Sequence, residues 1–250
     1  AGQRDRAVPG KLEAAQRQAE LLDIMGRPAE ALVIWRRLYL EAPHEPVGAQ
    51  AAKSVDLHAG REAATGRASL RIAAFTSTEQ LTRAQALFDH MRNVESEAAY
   101  RWALEQPDID DAQRCQGRYN LAQSVFKQRQ RKRAAPLFDE AAAACSPAAA
   151  KNDDLHMKAL YQAARCHANG GDYQKAADLF AVAESTYPGH SYADDARLRQ
   201  AEMYQELIDR LAKEGAKKTC NADTCPDYEG KLTALLSDLP DRYPQGDKRA

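Results

Sequence analysis

The chain has no long apolar run: nothing in its 250 residues approaches the 18 or so consecutive apolar positions that a helix needs to span a bilayer. It has no excess of one charge either. Lys and Arg number 35 against 36 Asp and Glu, a formal net charge of -1, which leaves no global field to draw the chain to nucleic acid or to an anionic membrane. It lacks a Gly-rich phosphate loop, a Gly-x-Ser-x-Gly elbow and a His-Glu-x-x-His helix, so the common frameworks for phosphoryl transfer, acyl transfer and zinc hydrolysis are missing. Alternating β-branched runs are missing too, and glycine and proline sit mostly between periodic segments. With alanine abundant, the economical class is all-α. The first residues, Ala1-Gly2-Gln3-Arg4, carry neither a methionine nor an apolar signal core, which suggests mature protein or an excised piece.

What the chain does have is one spacing used four times. Ala31, Trp35, Leu38 and Pro43 are separated by 4, 3 and 5 positions; Ala176, Phe180, Ala183 and Pro188 repeat this, as do Leu232, Leu236, Leu239 and Pro244. A fourth copy runs Ala134, Phe138, Ala141 and Ser146, with its proline one place late at Pro147. Steps of 4 and 3 put three side chains on one helical stripe, and a proline just beyond ends the helix because it has no amide proton to donate. Each copy therefore reads as the second helix of a helical hairpin. The small first residue admits a close neighbour and the bulky second one fills the gap between hairpins. This is the logic of a tetratricopeptide-like array, here expected to form a right-handed α-solenoid or superhelix.

The predicted hairpins are 11–25 with 28–42, 112–129 with 132–145, 153–169 with 172–187, and one opened by 191–213. Residues 47 to 104 are apolar at helical intervals but degenerate, with Ala84, Phe88 and Met91 as an imperfect ladder and room for two or three helices. The expected organisation is a degenerate N-terminal part, 1–110, continuous with clear repeats over 111–250. Comparing offsets of 37 and 56 between successive copies places an insertion of about 19 residues at a hairpin tip near 210–229, where solenoids tolerate it. The final residues, Gly246 to Ala250, resemble the start of another hairpin, so a C-terminal domain or further repeats are expected to follow.

Five cysteines are present. Cys115 begins one predicted helix and Cys145 ends the next, so antiparallel packing can set them opposite each other as a disulfide. Cys220 and Cys225 enclose a four-residue loop short enough to close as a ring. Free cysteines are the alternative for both pairs, and an oxidising compartment favours the bonds. No histidine lies near Cys220 and Cys225 to complete a zinc site, so neither a metal nor any other cofactor is expected. Lys127, Arg129, Arg131, Lys132 and Arg133 crowd five positive charges into seven residues at a hairpin tip, a candidate contact for an anionic partner or simply a solvated turn. Trp35 and His167 occupy packing positions. His156 and His167 are too far apart along one helix to share a metal. Tyr100 and Trp102 can be core or surface contacts.

The segment Val125-Phe-Lys-Gln-Arg-Gln-Arg-Lys-Arg-Ala-Ala-Pro-Leu-Phe-Asp-Glu-Ala141 resembles the helical N-terminal region of bacterial soluble lytic transglycosylases. So do His190-Ser-Tyr-Ala-Asp-Asp-Ala-Arg-Leu-Arg199 and Leu239-Pro-Asp-Arg-Tyr-Pro244. The likeness covers about residues 112 to 250, and its Tyr-Pro and Tyr-Ala-Asp-Asp-Ala elements recur in other exported repeat proteins. The resemblance implies a periplasmic superhelix beside a separate lysozyme-like domain that cleaves peptidoglycan with a single glutamate. Glu184-Ser185 imitates that family's catalytic motif, but it lies inside a ladder helix before Tyr187-Pro188 and lacks the expected Gly-Leu-Met-Gln stretch. A helix-end glutamate there has no evident reason to be enclosed, so no catalytic residue is expected in this chain.

Three functional expectations follow. The first is a non-catalytic accessory superhelix of a periplasmic lytic transglycosylase that positions glycan strands or partner proteins. The second is a freestanding tetratricopeptide adaptor that captures a peptide or helix of another cell-envelope protein in its groove. The third is a cytoplasmic signalling scaffold with reduced cysteines. Peptidoglycan or envelope proteins are the expected partners, and nucleic acid is not.

Overall fold

Proline and short polar side chains set where the helices begin. The computed structural model describes residues 9–65, 75–213 and 227–244, which form eleven α-helices with no strand among them. The chain divides into two compact units, Ala1–Ile109 and Asp110–Ala250. The first contains α1 (Pro9–Ile24), α2 (Pro28–Glu41), α3 (Pro46–Thr65), α4 (Ser77–Asp89) and α5 (Asn93–Leu104). The second contains α6 (Asp111–Lys127), α7 (Arg131–Cys145), α8 (Asp153–Asn169), α9 (Tyr173–Thr186), α10 (Ala193–Lys213) and α11 (Tyr228–Arg242). Among the described residues no helix is long and apolar enough to cross a membrane. The fold is all-α and built of tetratricopeptide-like hairpins.

Five of the helix starts carry a side-chain cap. Thr76 and Glu79 close a capping box at α4, and Asp110 and Gln113 close another at α6. Asn152, Asp172 and Asp227 each accept one backbone N–H at the starts of α8, α9 and α11. Asp108 adds a long-range cap, its carboxylate accepting the Ser77 amide at 3.1 Å and so tying the end of the α4–α5 hairpin back to its beginning.

The ladder residues fill the core. Trp35, Phe138 and Phe180 are at most 1% exposed, and the small residues before them, Ala31, Ala134 and Ala176, are fully buried. Burying a side chain of this size contributes about 2–3 kcal/mol, and only a small neighbour lets the next helix reach it. A further copy was hidden in the degenerate stretch: Ser96, Tyr100 and Ala103 stand in α5 at the same steps of 4 and 3, at 0%, 1% and 0% exposure. Its first residue is Ser rather than Ala, and its proline, Pro107, arrives one place early. The expected ladder of Ala84, Phe88 and Met91 is corrected accordingly. Helix α4 buries Ser77, Gln80, Ala84 and Leu87 instead, and Met91 is 63% exposed in the turn after it. In α11 Leu239 is buried, but Leu236 is 38% exposed because Leu232 and Leu235 are the side chains turned toward the core.

Four hairpin turns share one backbone device. Gly26, Met91, Arg129 and Gly171 all have φ between 61° and 84°, each two residues before the next helix. In each case the following amide (Arg27, Arg92, Gln130 or Asp172) donates to the carbonyl five residues back, which is the Schellman closure. Glycine fits this left-handed position without strain and other residues do not. Replacing Gly171 by Ala is expected to cost about 1 kcal/mol, and Arg129→Gly to add up to about 1 kcal/mol of stability, both measured by denaturant unfolding at fixed salt.

Candidate functional site

In the second unit α8 packs on α7 and α9 and touches α6, and the hairpin-opening helices α6, α8 and α10 share a partly exposed face. Polar and aromatic side chains link them across it. Tyr161 of α8 is bonded to Arg199 of α10, and its ring lies 5.1 Å from that of Tyr192. The Arg165 guanidinium sits 6.0 Å from both the Tyr161 ring and the Phe126 ring of α6. Tyr119 accepts from Gln123 at 2.8 Å. Lys158 donates to Asp154 at 2.7 Å, which raises the ammonium's pKa and lowers the carboxyl's. Burial pushes the phenols of Tyr119 and Tyr161 up, so they stay protonated donors. The face thus offers Lys158, Arg165 and Arg199 beside tyrosines and amides, a surface suited to hydrogen-bonding and packing against a peptide.

The structure places the basic cluster at the α6–α7 turn, with Lys127, Arg129, Arg131, Lys132 and Arg133 all exposed. Arg131 donates to Asn169 Oδ1 at 2.8 Å, joining this turn to the α8–α9 turn, and Arg133 bonds Gln130. Cys115 and Cys145 are joined as a disulfide, fully buried with their Cα atoms 4.7 Å apart, tying the start of α6 to the end of α7. Cys220 and Cys225 lie outside the described residues. Cys166 is a free, buried thiol pushed up to about 11 by desolvation and is therefore inert as a nucleophile.

Glu184 requires a correction: it is enclosed, at 4% exposure. Its carboxylate accepts from Arg242 Nε at 2.5 Å and from the Tyr243 hydroxyl at 2.6 Å, and Arg197 stands 3.7 Å away. Arg197 also pairs with Asp238. The sequence hid this because Arg242 and Tyr243 are 58 and 59 residues distant. The carboxylate is a lock between the ends of α9, α10 and α11. Both hydrogen bonds fall on Oε1 and Arg197 faces Oε2, so each oxygen is paired with a guanidinium. Burial, reinforced by the hydrogen bond to Glu184, pushes the Tyr243 phenol up to about 12.

The histidines differ from expectation in a similar way. His167 does not simply pack: its Nε2 lies 3.0 Å from Asp139, which also holds Lys175 at 2.7 Å, a chain across α7, α8 and α9. His156 sits in the same helix with its Nδ1 2.7 Å from the Tyr187 hydroxyl. Tyr100 is core, whereas Trp102 is 42% exposed and edge-on to Phe75. Among the described residues no three His, Cys, Asp or Glu side chains converge to hold a metal.

These features define a helical-hairpin repeat protein with an open first-helix layer. Solved structures of tetratricopeptide (TPR) proteins are similar to it. One is YrrB, described as a TPR protein with an unusual peptide-binding site, at 18% identity and a TM-score of 0.48 over 92% of this chain and 86% of that one. Another comprises the nearly identical TPR-like repeats of a Podosopora anserina chain assigned as a kinesin light chain, at 13% identity and a TM-score of 0.49 over 97% and 99%. No family model matches the chain, and no curated protein matches it.

Glu184→Gln is expected to lower stability by about 2 kcal/mol, because Arg197 and Arg242 lose a shared buried carboxylate; urea unfolding measures it, with Glu202→Gln as the exposed comparison. Acid sensitivity has a separate source. His156 is lowered by burial, against an opposing Asp153, and His44 by burial and then by His90, whose ring is stacked 3.4 Å away. A histidine depressed in the fold favours the neutral form. Its stabilisation is complete above the unfolded value, about 6.5, and is lost as pH falls below it. The urea midpoint is expected to drop between pH 7 and 5, and to drop less in a His44→Gln/His156→Gln variant.

Proposed function

We propose that this chain is a non-catalytic repeat adaptor whose α6–α8–α10 face holds an extended or helical segment of a partner protein. The observation that carries the reading is the linked strip from Phe126 and Tyr119 through Lys158, Tyr161 and Arg165 to Tyr192 and Arg199. Its tyrosines and guanidiniums hold one another in place before a ligand arrives, so little side-chain entropy remains to be lost on binding. YrrB is described as having an unusual peptide-binding site, and the reading for this chain rests on its own surface.

We also propose a cell-envelope address, in the bacterial periplasm. The Cys115–Cys145 disulfide supports it, since such bonds persist in oxidising compartments. In that setting a second reading is the accessory superhelix of a lytic transglycosylase that positions glycan strands. It rests on the sequence resemblance over residues 112 to 250, and the occupied carboxylate of Glu184 fits a chain whose chemistry lies elsewhere.

The test is a photo-crosslinking residue placed at Gln162, partly exposed beside Arg165, and in a second protein at Val182, 46% exposed on α9. Each is incubated with periplasmic extract and with purified sacculi. A discrete protein adduct at Gln162 and none at Val182 is the expected result, and equal labelling of both positions rules the groove out. Retention on sacculi without release of anhydromuropeptides, in place of a protein adduct, selects the second reading.

A further inference from the structure

The α6–α7 turn breaks two local rules without any gain in packing. Helix α7 opens with Arg131-Lys132-Arg133, no acidic residue in its first turn and no side chain capping its N-terminus. Four other helices of the unit do the opposite: Asp111 opens α6, Asp153 and Asp154 open α8, Asp194 and Asp195 open α10, and Glu229 lies in the first turn of α11, while α9 lacks an acid there but is capped by Asp172. A cation near a helix N-terminus opposes the dipole at a cost of about 0.3–1 kcal/mol. The second cost lies at Arg129, held at φ 62° where the corresponding residues of two other turns are Gly26 and Gly171. Both costs fall on exposed side chains.

The same residues surround a shallow open depression lined by Arg129, Gln130, Arg131, Lys132, Arg133 and Asn169. Four of the six are cations, the other two are amides, and no carboxylate is among them. The amides are already used, Asn169 by Arg131 and Gln130 by Arg133, so the pairing fixes two guanidiniums in place while leaving the floor positive. The side chains of Arg129 and Lys132 make no hydrogen bond or ion pair among the described residues.

We propose that this turn is a docking site for an acidic segment of a partner protein, a short run of Asp or Glu, distinct from the first-helix groove. Guanidinium forks match carboxylates two bonds at a time, and three of the five cations in the cluster are arginines. The depression is too open to enclose a small molecule, whereas an extended chain can lay successive carboxylates across it. Nucleic acid is disfavoured because the nearby ring of Phe126 is flanked by the guanidiniums of Arg131 and Arg165, which leaves no bare aromatic on which a base can stack.

The experiment is fluorescence anisotropy of a labelled Glu-rich peptide with the whole chain at several salt concentrations, with a single-stranded RNA of equal charge and soluble peptidoglycan fragments as parallel probes. The peptide is expected to bind with a marked salt dependence, and Arg129→Gly/Lys132→Ser to weaken it at least about tenfold, or about 1.4 kcal/mol. Lys53→Ser in the first unit is expected to leave the affinity unchanged. Arg129→Gly alone is expected to melt no lower than the parent chain while binding less well, which separates loss of the site from loss of the fold. Absence of peptide binding, unchanged binding in the double variant, or tighter binding of RNA or of peptidoglycan fragments each overturns the proposal.

Discussion

The structure depends on one packing constraint: a bulky ladder side chain has to enter a slot that only small residues leave open. Trp35, Tyr100, Phe138 and Phe180 occupy these slots at 1% exposure or less, beside Ala31, Ser96, Ala134 and Ala176. Everything else is arranged so that this insertion can recur. The caps start the helices on time, the Schellman turns reverse them within three residues, and the alanines on α8, Ala159, Ala163 and Ala164, let helices on both sides approach. A larger residue at a slot forces the helices apart, and a smaller one at a ladder position leaves a void. Either change is felt by two hairpins at once.

Polar interactions act mainly at the ends of the helices, where the ladder cannot reach. Glu184 with Arg197, Arg242 and Tyr243 fastens one end of α9, α10 and α11, and Asp139 with His167 and Lys175 links α7, α8 and α9 nearer the turns. The disulfide does the same covalently for α6 and α7. In the first unit Arg36 grips Glu79 with two bonds of 3.1 Å and covers the Phe75 ring at 4.1 Å, so α2 is tied to the start of α4. This division of labour frees the open face of α6, α8 and α10 from structural duty. Arg165 and Arg199 on that face, and the positive charges at the α6–α7 turn, stay exposed.

Much of the fold was legible because its signal is local. The steps of 4 and 3 with a nearby proline identified the closing helices of three hairpins and the opening hairpin of the chain. The α5 copy was missed because a slot needs only a small residue, and Ser96 serves as well as alanine; Pro107, one place early, disguised the stop. Met91 misled because its apolar side chain keeps the helical spacing while its backbone turns left-handed. The candidate face was legible only in part. Only Arg165 and Arg199 among its residues are fully exposed, Tyr161 is buried, and no spacing within one helix tells which side chains meet across neighbours.

By itself the sequence determined the all-α class, the hairpin period and the positions of most turns, because backbone hydrogen bonding and helical stripes depend on residues three to five apart. Only the tertiary structure decided the rest. It enclosed Glu184 between two arginines and a tyrosine, brought His167 against Asp139, separated core Tyr100 from exposed Trp102, and assembled the Tyr161–Arg199–Tyr192 strip. Those outcomes depend on side chains tens of residues apart in the chain. Their distances are set by how hairpins stack, and no local pattern encodes that.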